Sequence, residues 1–377
     1  MKILFLIRSL ERGGAERQLC VLAKALSDAG HEVHVCTFYR AGNISHYRDM
    51  LVGTGVVLHD LGKSGRWDML GFLFRCHKLA FVLKPDVVHG YLPTGNILAT
   101  FCKILQPRVK LVFGIRSAVM HLQFYDCISR CAYWLERHMA SIANLVIANS
   151  SEGGELYRAK CPNVFIIPNG IDVEKFYPQA EVASSVRKMW QIGQDAFLIG
   201  MVARIDPMKD HETFLHAATL FAESHPEVRF VFVGGGNPSR REKLQKLSEE
   251  LGIGSIVIWA GEFDDMPACY NAFDLVTLTS KGEGFPNAIA EAMACGVVPV
   301  ASDVGAVSEL VGDAGGVVPV GDALALKKAW ESFHDLTADQ LKAVGVKARE
   351  RIVLRFSTAT LAQESEKIIT SMLEEDD

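Results

Sequence analysis

Residues 3–37 read ILFLIRSLERGGAERQLCVLAKALSDAGHEVHVCT. An unbroken apolar run, Ile3–Ile7, is followed by a glycine pair, Gly13-Gly14, and then by a helical pattern from about Ala15 to Ala29. Gly30 stands where a residue of left-handed conformation ends a helix. A second apolar run, Val33–Thr37, follows at once. Strands that are continuous rather than alternating belong to sheets covered on both faces. The stretch therefore predicts one strand–helix–strand unit of a parallel α/β sheet.

The same alternation continues along the chain. Further strands are expected at Val56–Leu58, Val87–His89, Leu111–Phe113, Leu145–Ala148 and Val164–Ile167. A second series is expected at Phe197–Val202, Arg229–Val233, Ile256–Trp259, Leu275–Leu278, Val298–Val300 and Gly316–Val318. The turn-rich segment Pro168-Asn169-Gly170-Ile171-Asp172 separates the two series, and a polar linker with one helix continues to about Gln194. At 377 residues the chain exceeds one compact core. Two doubly wound domains are expected, 1–178 and 179–357, with a final helix over about 358–377. Ligands of open α/β sheets bind beyond the carboxyl ends of the strands, so the loops there carry the functional candidates.

Composition narrows the function classes. A hydrophobic content of 49% with 22% charged residues fits a globular protein. A net charge of -5 gives no general attraction to nucleic acid. Nine cysteines form no C-x-x-C pair, no His/Cys cluster has zinc spacing, and the thiols fit a reducing cytosol. Cys127 and Cys131 read as one face of a core helix. The first apolar run is cut at Arg8, too soon for a leader, and Met69–Leu83 is interrupted by Arg75, His77 and Lys78. A cytoplasmic location is expected.

Four loops follow strands with suggestive chemistry. In Ser9–Glu16, the glycines allow close backbone approach to a ligand; a plain tight turn with Glu16 in the first helical turn reads as well. In Ala203–His211, Arg204 and Lys209 supply a forked guanidinium and a mobile ammonium, as a diphosphate requires; solvated cations paired with Asp206 and Asp210 are the alternative. Gly234-Gly235-Gly236 either clears a strand exit for a ligand or forms a flexible turn. The fourth loop carries EGFPNAIAE, 283–291. Pro286 suits a first helical position, and Asn287–Ala294 continue as a helix whose free amides favour an anion. Glu283 precedes that helix, while Glu291 lies about 6–8 Å along it. Glu283 can complement the helix dipole. Glu291 interrupts an apolar run and must be paired or face water, which favours a ligand that bridges the two carboxylates.

Together these segments resemble the retaining glycosyltransferases of family 4 (group 1), with the GT-B fold. The likeness spans the chain: Gly13-Gly14-Ala15-Glu16-Arg17-Gln18, Ile167-Pro168-Asn169-Gly170-Ile171-Asp172, Arg204 with Lys209, Val233-Gly234-Gly235-Gly236, and Glu283 to Met293. It implies two Rossmann-like domains facing a central cleft, with the C-terminal helix packed back on the first. It also implies a nucleotide diphosphate sugar as donor, UDP-sugar favoured. The acceptor would be a glycan or a polyprenyl-linked molecule.

By the same resemblance, Arg204 and Lys209 neutralise the diphosphate and Glu283 grips the donor sugar. The stretch Gly284, Phe285, Pro286 and Asn287 completes that pocket with the backbone amides it carries. Glu291 holds the ribose, and Gly14 lets the first-domain backbone approach the diphosphate. No D-x-D triplet occurs, so neither a metal nor another cofactor is expected. Many relatives carry a catalytic histidine beyond a first-domain strand. Here Arg116 occupies that place, as a catalytic residue or as the group that binds an anionic acceptor or the donor phosphate; His89 is the alternative on the acceptor side, though a hydrogen-bonded structural histidine fits it as well. Apolar and basic residues mix over Arg66–Lys78 and again at Arg130, Arg137 and His138; helix packing beneath a solvated face is the first reading, and peripheral contact with the cytoplasmic membrane face is the alternative. An epimerase of the same architecture, or a non-catalytic nucleotide-sugar-binding protein, would share most of these residues.

Overall fold

The computed structural model describes residues 1–11, 13–39, 47–65, 68–116, 126–193 and 195–374. The chain forms two compact units, Met1–Gly170 with Thr358–Asp377, and Ile171–Ser357.

The first unit runs β1 (Lys2–Ile7), α1 (Gly14–Asp28), β2 (Glu32–Thr37), β3 (Val57–Asp60), α2 (Met69–Leu83), β4 (Val87–Tyr91), α3 (Leu92–Leu105), β5 (Lys110–Ile115), α4 (Cys127–Met139), β6 (Leu145–Ala148), α5 (Ser151–Arg158) and β7 (Val164–Ile166). Its seven strands pair in the order β3-β2-β1-β4-β5-β6-β7, all parallel. Alternation along β1 feeds two cores at once: Leu4 and Leu6 enter the layer with Phe72 and Leu98, and Ile3, Phe5 and Ile7 the layer with Leu19 and Leu22. That is why the strand reads as an uninterrupted apolar run.

The second unit contains α6 (Ala180–Met189), β8 (Leu198–Val202), α7 (His211–Ala222), β9 (Arg229–Val233), α8 (Pro238–Glu250), β10 (Val257–Gly261), α9 (Met266–Asn271), β11 (Leu275–Leu278), α10 (Asn287–Ala294), β12 (Val298–Ser302), α11 (Val307–Val311), β13 (Gly316–Val318), α12 (Ala323–His334) and α13 (Ala338–Arg355). Its sheet has the order β10-β9-β8-β11-β12-β13, again all parallel. The strand order reverses direction at β8/β11, which opens the loops after these two strands next to each other.

The chain changes unit after Gly170, ahead of the boundary expected at 178. Ile171 and Phe176 already belong to the second core. The Ile171 amide donates to the Phe356 carbonyl (2.8 Å), and Arg349 donates to the carbonyls of Phe176 (2.8 Å) and Val173 (3.3 Å). The last helix, α14 (Thr358–Glu374), returns to the first unit. There Leu361, Ile369 and Met372 join the α1 layer, and His31 pairs with Glu366 at 2.8 Å. Gly170 makes this return close: a Cβ on it would lie 2.9 Å from Thr358 Cα.

One further expectation changes. Cys127 and Cys131 are both exposed rather than part of a core face.

Under α3, α4 and α5 lies a buried polar group. Glu136, 1% exposed, accepts from Asn96 Nδ2 (2.5 Å) and Tyr157 OH (2.7 Å). Burial pushes its carboxyl up from 4.5 to about 7, against the lowering effect of those hydrogen bonds. The native state therefore holds this proton more tightly than the unfolded chain, and stability falls as pH rises from 4.5 through 7. Glu136→Gln is expected to remove about 3 kcal/mol of that slope. Urea melts of both proteins at pH 5 and pH 8 measure it; an unchanged stability difference between the two would refute the assignment.

Candidate functional site

The second unit builds its site from two adjoining loops. After β8 the backbone of Ala203 and Ile205 runs against the glycine run. The Ala203 amide donates to Val233 O (3.0 Å) and the Ile205 amide to Gly235 O (2.8 Å). Gly234 (φ +143) and Gly236 (φ +148) admit this approach, since added Cβ atoms would stand 2.2 Å from Ala203 O and 2.6 Å from Ile205 O. The run is thus a packed one rather than the flexible turn that was one of the two alternatives read from sequence. It is a packed floor under Arg204, whose side chain is 73% exposed and reaches Asp206 at only 3.5 Å. Asp206 in turn caps the next turn through the Met208 amide (2.9 Å).

The loop after β11 is tied to this one along its length. The Lys281 amide donates to Met208 O (2.8 Å), and Thr279 Oγ1 donates to the carbonyls of Lys209 (3.0 Å) and Asp210 (2.9 Å). Lys281 Nζ pairs with Asp210 at 3.1 Å. At the centre, Glu283 Oε1 accepts from Lys209 Nζ (2.5 Å) and from Ser280 Oγ (2.6 Å). A third loop, after β12, supports the Glu283 backbone: Gly305 (φ +56) would place a Cβ 2.1 Å from Glu283 O, and the Ala306 amide donates to Gly284 O (3.1 Å). His211, at the start of α7, is pushed down to about 4 by burial, then by the charges of Arg240 and Lys209, and is neutral at pH 7.

Several expectations about residues 284–291 need correction. Pro286 is the N-cap of α10 rather than its first residue. It has no amide to offer, and the Asn287 amide turns onto Phe285 O (3.0 Å). The expected amide set narrows to Gly284 and Phe285. The Phe285 side chain is itself core, 5% exposed and packed near Phe356. Glu291 is 4% exposed and accepts from Tyr270 OH at 2.9 Å. The paired state that a carboxylate in an apolar run demands is therefore supplied by the protein.

In the first unit, Gly14 opens α1 and Gly13 is its N-cap. The Glu16 side chain folds over Gly13, and burial raises its carboxyl pKa. Gln18, 1% exposed, clasps the backbone of Gly170 in both directions at 2.9 Å. Arg116 is the first residue past β5 and 8% exposed; it donates to Tyr91 OH (2.9 Å) and Asn169 Oδ1 (3.4 Å), with its guanidinium 4.8 Å from the centre of the Tyr91 ring. His89 lies inside β4, which continues to Tyr91. It is fully enclosed between Phe5 and Tyr91, and neither ring nitrogen has a protein partner among the described residues. Burial, then the Arg116 charge, holds it far below the usual histidine range. With no hydrogen-bond partner among the described residues, its fully buried ring departs from the hydrogen-bonded structural histidine read from sequence.

The helices that the alternative reading places at a membrane expose apolar side chains: Leu70, Phe74, Phe81 and Val82 on α2, and Ile128 and Trp134 on α4. Arg66 and Trp67 lie outside the described residues, as do Arg12 and Gln194 of the stretches read above. Among the described residues no helix is long and apolar enough to cross a membrane. Sequence reading missed Ser280, Tyr270 and Gly305. Ser280 and Gly305 had a local signal, a place just past a strand; Tyr270 had none.

Two family models match. One described as "Glycosyl transferases group 1" covers residues 184–351, and one described as "Glycosyltransferase Family 4" covers residues 12–175. The D-inositol 3-phosphate glycosyltransferase of Thermomonospora curvata is 33% identical over 201 residues, 47% of this chain and 45% of that protein. The UDP-Gal:alpha-D-GlcNAc-diphosphoundecaprenol alpha-1,3-galactosyltransferase of Escherichia coli is 26% identical over 238 residues, 62% of this chain and 61% of that one. The chain thus spans about half the length of the curated relatives it matches. Among solved structures, Anabaena Alr3699/HepE in complex with UDP and glucose superposes with a TM-score of 0.84 at 23% identity, covering 98% of this chain and 100% of that one. Sucrose-phosphate synthase from Thermosynechococcus elongatus gives 0.82 at 22%, covering 99% and 100%.

Proposed function

The chain belongs to the group 1, family 4 glycosyltransferases and has their GT-B fold, and from that premise we propose that it moves a hexose-type sugar from a nucleotide diphosphate sugar to a glycan or lipid-linked acceptor. The observation that carries the reading is the Lys209–Glu283–Ser280 cluster beside an exposed Arg204. Two cations and one oriented carboxylate are what the diphosphate and the hydroxyls of such a donor need.

In this reading Arg204 takes the diphosphate oxygens. Lys209 holds three donors and can serve phosphate and Glu283 together. Glu283 accepts from donor-sugar hydroxyls, and Glu291, oriented by Tyr270, serves the ribose. As the bond from the anomeric carbon to phosphate breaks, negative charge grows on the leaving diphosphate, and the two cations stabilise it in place. The acceptor oxygen bonds to the anomeric carbon on the same face, and its proton passes to the leaving phosphate oxygen. The configuration is thereby retained, and the charge is met by side chains without a metal. UDP is the favoured nucleotide, since the HepE complex holds UDP and glucose and the E. coli relative is named for UDP-Gal. That relative's diphosphoundecaprenol acceptor, with the exposed apolar faces of α2 and α4, supports an acceptor reached at the cytoplasmic membrane face.

A panel of UDP-, GDP- and ADP-sugars in EDTA tests the proposal by nucleotide diphosphate release and thermal stabilisation. Release and a raised melting temperature with a UDP-sugar are expected. No release and no stabilisation from any donor would sink it. Anionic and neutral vesicles added to the same reactions test the membrane part, which fails without co-flotation on the anionic ones.

A further inference from the structure

The amino-terminal edge of the second sheet, opposite the loops bearing Arg204 and Glu283, gathers side chains that the transfer reaction does not use. His225 follows α7, His334 ends α12, and Asp335 follows it. One ligand atom from each of the three lies within 4.8 Å of the others. Glu227 flanks the group.

The contacts prepare both imidazoles for a cation. His225 Nδ1 lies 3.0 Å from the Phe221 carbonyl and donates to it, which leaves the Nε2 lone pair as the ligating position. His334 Nδ1 is buried with no hydrogen-bond partner among the described residues, and stands 3.6 Å from Asp335 Oδ1. That separation is long for a hydrogen bond. It is close to the distance of about 3.4 Å between two ligands that share one tetrahedral zinc at ~2.0–2.1 Å. The other nitrogen of His334 faces Glu227 at 3.6 Å, beyond direct hydrogen-bond range, so a carboxylate lies on the far side of the ring. Rings wall the group: Phe221 stacks on His225 at 4.2 Å, and Phe197 meets His334 edge-on at 4.9 Å. The two histidine rings themselves lie 4.3 Å apart.

We propose that His225, His334 and Asp335 form a site for one divalent transition cation, zinc or cobalt, that staples the end of α7 to the end of α12. Imidazole nitrogen with a carboxylate selects such ions over magnesium or calcium. The fourth position would be left to water. The role is structural, because the site lies at the other edge of the sheet from the donor loops.

The test uses untagged protein stripped with EDTA and dialysed free of it. Calorimetric titration with Zn²⁺ is expected to show one saturable equivalent and a raised melting temperature, and Co²⁺ to give visible absorption bands. His225→Gln and His334→Gln should each weaken binding about tenfold or more. Asp335, 75% exposed, gives a variant that cannot disturb the core, and Asp335→Asn should weaken binding as well. Melting of the metal-free variants checks that they fold. Absence of a saturable equivalent, or one whose affinity survives His225→Gln and Asp335→Asn unchanged, would overturn the proposal.

Discussion

Glu283→Ala is expected to lower nucleotide release from the donor by about 10²–10³-fold, the loss typical when one preorganised electrostatic contact is removed from a transition state. The reason lies in what Glu283 holds. Its Oε1 is the common acceptor for Lys209 and Ser280, so under the proposed function its removal lets the ammonium meant for the diphosphate drift and deletes the grip on the sugar. The pair is mostly enclosed, with side chains 12% and 23% exposed. Breaking one side should therefore also cost stability, about 1–3 kcal/mol, below the figure for a fully buried pair. Glu283→Gln separates the two effects. It can still accept from Ser280 but carries no charge for Lys209, so it should recover stability more than turnover. Steady-state release with urea melts on all three proteins decides the matter. If the alanine variant turns over like the parent, Glu283 is not in the site.

Arg204→Ala should show the opposite balance. At 73% exposed, with a single 3.5 Å contact to Asp206, the side chain supports almost nothing of the fold. The loop backbone is held instead by Ala203 and Ile205 against the glycine floor. Stability should stay within about 0.5 kcal/mol of the parent, while turnover falls about 100-fold, because a charge-assisted fork on the leaving diphosphate is lost. Arg204→Lys should restore part of the rate through its charge but not the bidentate geometry. Release kinetics resolved into kcat and KM check this. A loss confined to KM would make Arg204 a ground-state anchor only.

The strands were legible because each is a local fact. A run such as Leu275–Leu278 announces itself by its own residues, and its burial on both faces is written in its lack of alternation. The positions of Arg204, Lys209 and Glu283 were legible for a related reason: each follows a strand, and ligands of such sheets bind past strand ends. The resemblance to a known family gave those residues their proposed roles. Pro286 shows where local reading slips. Its fixed φ suits a first helical position, yet the loop entering α10 sets the helix start one residue later.

What sequence spacing could not carry were the pairings made by chain crossovers. Lys209 meets Glu283 only because β8 and β11 become neighbours in the sheet. Glu291 finds Tyr270 across two helices packed together, α9 and α10. The three glycines after β9 look like looseness in one dimension and are tightness in three, because what they admit is another strand's exit. No zinc spacing was visible among the histidines, since His225 and His334 come from helices far apart in the chain whose ends the fold sets side by side. By itself the sequence determined the class of sheet, the set of strands and the loops that carry the chemistry, because hydrophobic periodicity and turn chemistry act over a few residues. The tertiary structure alone decided which charges are paired, which glycines are spacers and which histidines are enclosed or clustered. Those outcomes depend on the neighbours that long-range strand order brings together, and no local pattern encodes them.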